Sequence, residues 1–333
     1  MDDPTSDTPG SNILELHAVG GTSAQGSRPG QEDEYVILTS EDLPSEIKDT
    51  HAFFAVLDGH GGDIVSKHAK EHIPKLVFDS AQFKSGEYEQ ALQEAINQED
   101  ELLKSEFHKG HNNFALAGST VSIALVDLRK GLLVVGNVGD SHIFLAERDA
   151  ENGELKSVLR LTESHKPEKA EEKKRIEQAG GQIHEQHAIT RVGSLNMSRA
   201  FGDLQYKKPL ISLMTNQTDA QESATTNSTD RTQRDDLITV QMSSQRRELG
   251  KEQQYFLALT TDGITNVAND ETVMRTMADS FNEGNSADQV AAKLVNQATA
   301  TPQSDNSTCI AVFLNGVAAR PNLQKREGAG PAD

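Results

Sequence analysis

Cysteine, tryptophan and basic side chains are the scarce residues of this 333-residue sequence. The single cysteine, Cys309, cannot form an intrachain disulfide, which indicates a reducing compartment. Tryptophan is absent and aromatic residues make up only 5% of the chain, so the hydrophobic core has to be mainly aliphatic. Lysine and arginine number 32 against 51 acidic residues, a net charge of −19. This excess of acid argues against a nucleic-acid-binding protein, because phosphate backbones attract basic surfaces.

Long apolar runs are also missing. Segments such as Phe53–Leu57 fall far short of the roughly 18 apolar residues of a membrane span. The acidic start, residues 1–5, lacks the features of a signal or transit peptide. We therefore expect an intracellular protein of the cytoplasm or nucleus with no membrane partner, and we expect a monomer. A mitochondrial form whose targeting segment has been removed stays an open alternative.

The distribution of polar residues predicts one domain with loose ends. Residues 1–12 and 318–333 are rich in small, polar and charged residues without apolar periodicity, and we predict that both are disordered tails. Residues 13–317 are predicted to form a single domain. The polar, aperiodic stretch 212–236 is predicted to be a surface insertion within it.

Strand and helix patterns alternate along this domain. Short segments rich in Val, Ile, Leu and Phe predict strands at Tyr35–Leu38, Ala52–Leu57, Ser119–Val126, Leu132–Val138, His142–Ala146, Tyr255–Leu259 and Thr308–Leu314. Apolar periodicity predicts four helices, which contain Ile64–Ile73, Tyr88–Phe107, Glu171–Ala179 and Val290–Ala298. The strands of the middle third follow one another without crossover helices. This order favours an α+β fold with antiparallel sheets.

Acidic residues stand at the ends of four predicted strands: Asp58, Asp140, Asp262 and Asp305. Each one alone is typical of a turn. Together they suggest a cation site, because carboxylates that converge repel one another unless a cation neutralises them. No Cys or His ligand spacing accompanies them, so the expected ion is Mg²⁺ or Mn²⁺ rather than zinc.

Three further residues add possible functions to this site. Gly59 leaves room for a main-chain carbonyl ligand. His60 is either a surface histidine or a proton donor at near-neutral pH. Arg28 is either a solvated surface arginine or a bidentate ligand of a phosphate group.

The motifs that contain these residues resemble those of the metal-dependent protein phosphatases of the 2C type, in order and spacing, over about residues 15–315. They are Arg28–Asp33, Phe54–Gly62, Gly118–Thr120, Asn137–Ser141, Leu161–Pro167, Arg175–Gly181, Ser198–Asp203, Thr261–Gly263 and Asp305–Thr308.

The resemblance implies a central β-sandwich of two antiparallel sheets flanked by pairs of helices. It also implies hydrolysis of phosphoserine and phosphothreonine in protein substrates by a water that bridges two Mg²⁺ or Mn²⁺ ions. By motif, Asp58 bridges both ions and the Gly59 carbonyl binds one of them, while Asp262 and Asp305 hold the other.

The resemblance assigns supporting roles as well. Glu32 and Asp33 orient waters on the metals, Arg28 binds the substrate phosphate, and His60 is the general acid. Cys309 lies within a predicted strand, so we expect a core residue rather than a nucleophile.

Three departures from the family pattern limit what can be transferred. Asn266 stands where the family has an acid for a third, weaker metal, so we expect a weaker third site that Asp140 and Asp262 could still form. His142 replaces a common arginine, and we interpret it as a surface substitution, with altered pH dependence as the alternative. The segment from Arg191 to Ser198 is one residue shorter than usual, which leaves substrate preference open.

Two other functions stay open at this stage. A catalytically inactive member used as a binding scaffold would have lost metal ligands, yet Asp58, Asp262 and Asp305 are all present. A metal-dependent hydrolase of small phosphate esters would have the same metal site. The sequence does not separate the second alternative from a protein phosphatase.

Overall fold

The computed structural model describes residues 11–149, 153–211 and 235–319. Short apolar segments form its central strands. In chain order the strands are β1 (Leu14–Ala24), β2 (Glu34–Leu38), β3 (His51–Leu57), β4 (Gly59–His60), β5 (Gly118–Ser119), β6 (Val121–Asp127), β7 (Leu132–Val138), β8 (His142–Arg148), β9 (Leu155–Arg160), β10 (Ile183–Gln186), β11 (Ile189–Val192), β12 (Phe201–Gly202), β13 (Ser243–Glu248), β14 (Gln254–Thr260) and β15 (Ser307–Gly316). The helices are α1 (Ile64–Asp79), α2 (Ala81–Ser85), α3 (Tyr88–His108), α4 (Ala170–Gln178), α5 (Asp262–Thr265), α6 (Asp270–Asn282) and α7 (Ala287–Thr299).

Two five-stranded sheets form the centre of the molecule. One has the strand order β1-β15-β14-β8-β9 and the other the order β13-β7-β6-β3-β2. Neighbouring strands in both sheets are antiparallel. Aliphatic side chains fill the space between the sheets, as the scarcity of aromatic residues requires; Val135 of one sheet and Ile310 of the other belong to the same buried cluster.

Helices cover the outer face of each sheet. Adjacent residues in a strand point to opposite faces, so Phe54 of β3 packs between the sheets while Phe53 packs against α1 and α3. On the other sheet, Phe256 and Phe313 pack against α6 and α7. The result is a layered sandwich, helices–sheet–sheet–helices, which confirms the predicted α+β fold class.

The seven predicted strands and four predicted helices are present, with one change: the segment Ser119–Val126 is interrupted at Thr120 and divides into β5 and β6. The elements that the sequence patterns missed are β1, β4, β9, β10, β11, β12, β13, α2, α5 and α6. Cys309 is fully buried in β15, as expected, and burial raises the pKa of its thiol to about 12.

Some predictions fall largely outside the described residues. These are the two tails, 1–12 and 318–333, and the insertion 212–236, of which only the last two residues are described. The single domain over 13–317 stays a prediction. Within the described residues, no helix combines the length and apolar character that crossing a membrane requires.

A small sheet with the order β12-β5-β4 lies beside the sandwich. A buried ion pair fastens the segment around β12 to α3: Lys207 Nζ lies 2.6 Å from Asp100 Oδ1, and Lys207 is only 1% exposed. The same Asp100 oxygen accepts the Gly202 N–H, and Lys207 also donates to the Ala200 carbonyl. This ion pair therefore helps to position the small sheet.

Replacing Lys207 by methionine should destabilise the protein by about 3–5 kcal/mol, because the buried Asp100 carboxylate then keeps only the more distant ammonium of Lys104, 3.5 Å away. Lys208→Met is the matched control, since the Lys208–Asp235 pair is exposed and such pairs contribute at most about 1 kcal/mol. Urea unfolding measures both free energies. Equal effects of the two substitutions would contradict the structural role of the buried pair.

Candidate metal and catalytic site

Acidic residues from both sheets meet at one edge of the sandwich, where their strands begin or end. Glu34 pairs with Leu57, so Asp33, before β2, lies beside Asp58, after β3. On the other sheet Thr260 pairs with Cys309, which brings the end of β14, before Asp262, close to the start of β15, after Asp305. Asp140, which follows β7, joins them, and we call these five acids, Asp33, Asp58, Asp140, Asp262 and Asp305, the carboxylate cluster. The predicted convergence of Asp58, Asp140, Asp262 and Asp305 is therefore observed.

Asp33 links the two sheets at this edge. Thr261 and Thr308 donate hydrogen bonds of 2.8 and 2.7 Å to its Oδ2. Its other oxygen, Oδ1, is buried and has no hydrogen-bond partner. Thr261 directly precedes Asp262, and Thr308 follows Asp305 in the same motif. A carboxylate next to β2 is therefore held by threonines of the β14–β15 sheet. The sequence motifs contained both threonines, but nothing in their pattern indicated this contact.

Burial and mutual repulsion disfavour ionisation of the cluster. Burial, opposed by its threonine hydrogen bonds and reinforced by Asp262 and Asp305, raises the pKa of Asp33 to about 7. Burial and the charges of Asp33 and Asp262 hold the pKa of Asp58 well above its usual range. Burial and Asp140 raise the pKa of Asp262 to about 6, although Lys166 opposes the shift. Ionising these neighbouring acids together is therefore unfavourable unless a cation is present.

The donor set of this edge fits a hard divalent cation. Carboxylate oxygens and a main-chain carbonyl are the ligands that Mg²⁺ and Mn²⁺ prefer, and a cation would both relieve the repulsion and use the free Oδ1 of Asp33. At Gly59 a Cβ atom would lie 2.3 Å from the Glu32 carbonyl oxygen, so the tight approach of these two segments requires glycine. The Glu32 backbone is fixed in turn, because its N–H donates to Asn306 Oδ1 at 2.9 Å.

The two residues predicted for a third metal site have other partners. Lys166 Nζ forms an ion pair with Asp140 Oδ2, while Asp140 Oδ1 is buried and unpartnered. The Asn266 N–H donates to the Asp262 carbonyl, and the Asn266 side chain opposes the rise in the pKa of the Asp262 carboxyl. A third ion would therefore compete with an ammonium group for Asp140. Nothing in the pattern of residues around Lys166 indicated this ion pair.

His60 lies beside the carboxylate cluster and forms a hydrogen bond with Asp203. Its Nε2 lies 2.7 Å from Asp203 Oδ2, and its Nδ1 is buried without a partner. The ring is largely buried, its side chain 21% exposed, so a surface histidine is excluded. Burial lowers the pKa of His60, but the charge and hydrogen bond of Asp203 outweigh this effect, so the pKa is raised overall.

The small sheet explains why His60 and Asp203 meet although they are 143 residues apart. β5 pairs with β4, which contains His60, and with β12, which precedes Asp203. A Cβ on Gly118 of β5 would lie 2.2 Å from Asp203 Oδ2 and 2.5 Å from His60 Nε2. Asp203 was part of a recognised motif, yet only the fold shows its contact with His60.

Arg28 does not stand free at the surface. One of its guanidinium nitrogens, Nη2, lies 2.5 Å from Asp305 Oδ2, and its side chain is 55% exposed. The ion pair places this cation directly at the carboxylate cluster. The guanidinium is thus close enough to reach an anion bound there.

The interpretation of His142 as a surface residue is wrong. His142 is 4% exposed in β8, where its ring nitrogens contact Thr162, Ser164 and Arg160. Burial and the Arg160 charge lower the pKa of His142 to about 4. The lowered pKa keeps the ring uncharged near neutral pH. The residue is buried because β8 is an internal strand of its sheet.

Comparisons with known proteins give a consistent result. A family profile described as Protein phosphatase 2C matches residues 17–307. The chain is 30% identical over 307 residues to "Probable protein phosphatase 2C 2" of Paramecium tetraurelia, covering 87% of this chain and 90% of that protein. It is also 30% identical to "Probable protein phosphatase 2C 6" of the same organism, over 92% of this chain and 95% of the relative.

A solved structure shares the fold. It is the serine-threonine phosphatase 2C from Toxoplasma gondii, with a TM-score of 0.72 and 22% sequence identity, covering 92% of this chain and 98% of that one. At this identity the likeness supports the fold alone.

Asp58→Asn should stabilise the cation-free protein, because burial and the neighbouring acids disfavour ionisation of the Asp58 carboxyl, whereas an amide has no charge to lose on folding. The same variant should lose the rise in melting temperature that Mg²⁺ or Mn²⁺ produces in the wild type.

The matched control is Asp279→Asn, which removes an exposed acid on α6. Thermal unfolding with chelator and with added cation distinguishes the variants. A destabilised Asp58→Asn protein that still responds to the cation would show that the cluster is not the cation site.

Proposed function

Because the chain belongs to the protein phosphatase 2C family, we propose that it hydrolyses phosphoserine and phosphothreonine esters of proteins with the help of two Mg²⁺ or Mn²⁺ ions. The observation that carries this proposal is the carboxylate cluster, whose buried acids from two sheets have raised pKa values and free oxygens. Such a group is costly to maintain without a cation. A metal-dependent hydrolase needs such a group of acids to hold its cations.

The cluster would hold the cations with the residues that the motifs assign. Asp58 and the Gly59 carbonyl would bind a cation on the side of the β2–β3 sheet. Asp262 and Asp305 would bind a cation on the side of the β14–β15 sheet, and Glu32 and Asp33 would orient bound water. When bound, the cations supply positive charge and a water nucleophile at neutral pH. The threonine contacts of Asp33 keep this carboxylate in one orientation before substrate arrives.

His60 would protonate the serine or threonine oxygen that leaves. Asp203 occupies Nε2, so in the protonated ring Nδ1–H is the donor without a partner. Asp203 also stabilises the positive charge of the ring, which keeps the proton available near neutral pH. A poor leaving group such as an alkoxide requires this transfer.

Arg28 would bind the substrate phosphate. In the structure its guanidinium neutralises Asp305. With Asp305 bound to a cation, the Arg28 guanidinium would be available for the phosphate oxygens, with which it can form two parallel hydrogen bonds. The half-exposed side chain has the freedom for this exchange of partners.

Activity should be lost in chelator and restored by Mg²⁺ or Mn²⁺ on a phosphothreonine peptide, and Asp58→Asn and Asp262→Asn should each abolish the restored activity. Asp279→Asn should retain it. Folded wild-type protein without activity in either metal would indicate a binding scaffold. Hydrolysis of an aryl phosphate but of no phosphopeptide would indicate a hydrolase of small phosphate esters.

His60→Gln should lower kcat on the phosphothreonine peptide about 10²–10⁴-fold, the usual contribution of general acid catalysis. The loss should be much smaller on an aryl phosphate, whose leaving group needs no proton. Asp203→Asn should act in the same direction.

The double variant should be no slower than His60→Gln, because Asp203 acts through His60. His111→Gln, an exposed histidine, is the control. Equal losses on both substrates would rule out His60 as the proton donor.

A further inference from the structure

A second group of metal-binding residue types lies between helices α1 and α3, outside the carboxylate cluster. His68 and His72 are four residues apart and therefore share one face of α1. Their ring centroids lie 4.0 Å apart. Glu99 of α3 approaches from the opposite side, with its Oε1 2.7 Å from His68 Nδ1.

These three residues form a compact set, which we call the His68–His72–Glu99 cluster. Each offers one ligand atom, and the three atoms lie within 4.8 Å of one another. Among the described residues, no other three His, Cys, Asp or Glu side chains are so close, the acids of the carboxylate cluster included. The wider spacing of those acids agrees with their repulsion, whereas two imidazoles and one carboxylate attract.

Glu99 supplies an independent indication of a ligand. The residue is 0% exposed, and its second oxygen, Oε2, is buried without a hydrogen-bond partner. A buried carboxylate oxygen without a partner costs free energy, so native structures rarely leave one unused. A cation between the two helices would satisfy it.

His72 is oriented as a ligand. Its Nδ1 lies 2.7 Å from the main-chain carbonyl oxygen of His68. A carbonyl only accepts, so Nδ1 carries the proton and Nε2 carries the free electron pair. This hydrogen bond to a carbonyl is the usual device that fixes the tautomer of a metal-binding histidine.

We propose that His68, His72 and Glu99 bind one zinc-class transition-metal ion that ties α1 to α3. Two imidazoles and one carboxylate favour Zn²⁺ or a similar borderline ion over Mg²⁺, which prefers oxygen ligands. Water would take the remaining position, since His68 and His72 are partly exposed. Binding displaces the proton shared by His68 and Glu99, so one proton is released per ion when that pair is protonated.

The alternative is a purely structural hydrogen bond. In that case the protonated His68 ring balances the Glu99 charge and no ion binds. Burial lowers the pKa of His68, but the hydrogen bond and the charge of Glu99 outweigh this effect, so the pKa is raised overall. The protonated ring and the carboxylate can therefore pair without an ion. The experiment therefore has to measure the ion itself.

Zn²⁺ titration in excess Mg²⁺, which occupies the carboxylate cluster, should show one site per chain by calorimetry. Co²⁺ at the same site should give a visible absorption band. His72→Gln and Glu99→Gln should each weaken Zn²⁺ binding at least about tenfold. Asp58→Asn should retain the site, which separates it from the cation site of the proposed phosphatase reaction.

The matched control is His111→Gln. His111 also contacts a glutamate of α3, with its Nδ1 2.8 Å from Glu106 Oε2, but it is exposed and lacks a third ligand. If Glu99→Gln fails to fold, His72→Gln decides alone, since His72 bonds only to a carbonyl in the same helix. Unchanged Zn²⁺ affinity in His72→Gln, no Zn²⁺ binding in the wild type, or its complete loss in Asp58→Asn would overturn the proposal.

Discussion

The repulsion among buried carboxylates at the edge of the sandwich is the constraint to which the rest of the structure responds. Asp33, Asp58 and Asp262 all have raised pKa values, because the fold places these acids close together where water cannot screen their charges. Two packed sheets make this possible, because their strand ends cannot move apart without unpairing. The strand register, rather than any contact among the acids, keeps them together.

The site divides into two parts with separate supports. The large sheets position the acids, and the three-stranded small sheet positions His60 against Asp203. Thr120 connects the parts: its N–H donates to the Asp58 carbonyl, and it lies between β5 and β6. The acids and the His60–Asp203 pair therefore depend on different strands that meet at Thr120.

Local pattern accounts for the central strands and for the acids that follow them. It could not supply β1, whose Gly20 is required because a Cβ there would lie 2.2 Å from the Asp288 backbone nitrogen of α7. Nor could it supply β9 and β13, sheet-edge strands in which every residue is half-buried or exposed. Contacts such as His60 with Asp203 depend on tertiary pairing. The recognised motifs marked the positions of these residues but not which atoms meet.

The position of β15 in its sheet has a consequence for biosynthesis. This strand, residues 307–316, is inserted between β1 and β14, and Asp305 precedes it directly. A nascent chain on the ribosome has made β1 and β14 long before β15 emerges, and the two have no partner in common until then. The sheet with the order β1-β15-β14-β8-β9 can be completed only after residue 316 has left the exit tunnel. Until that moment the growing polypeptide exposes two unpaired strand edges, the surfaces that chaperones shield during translation.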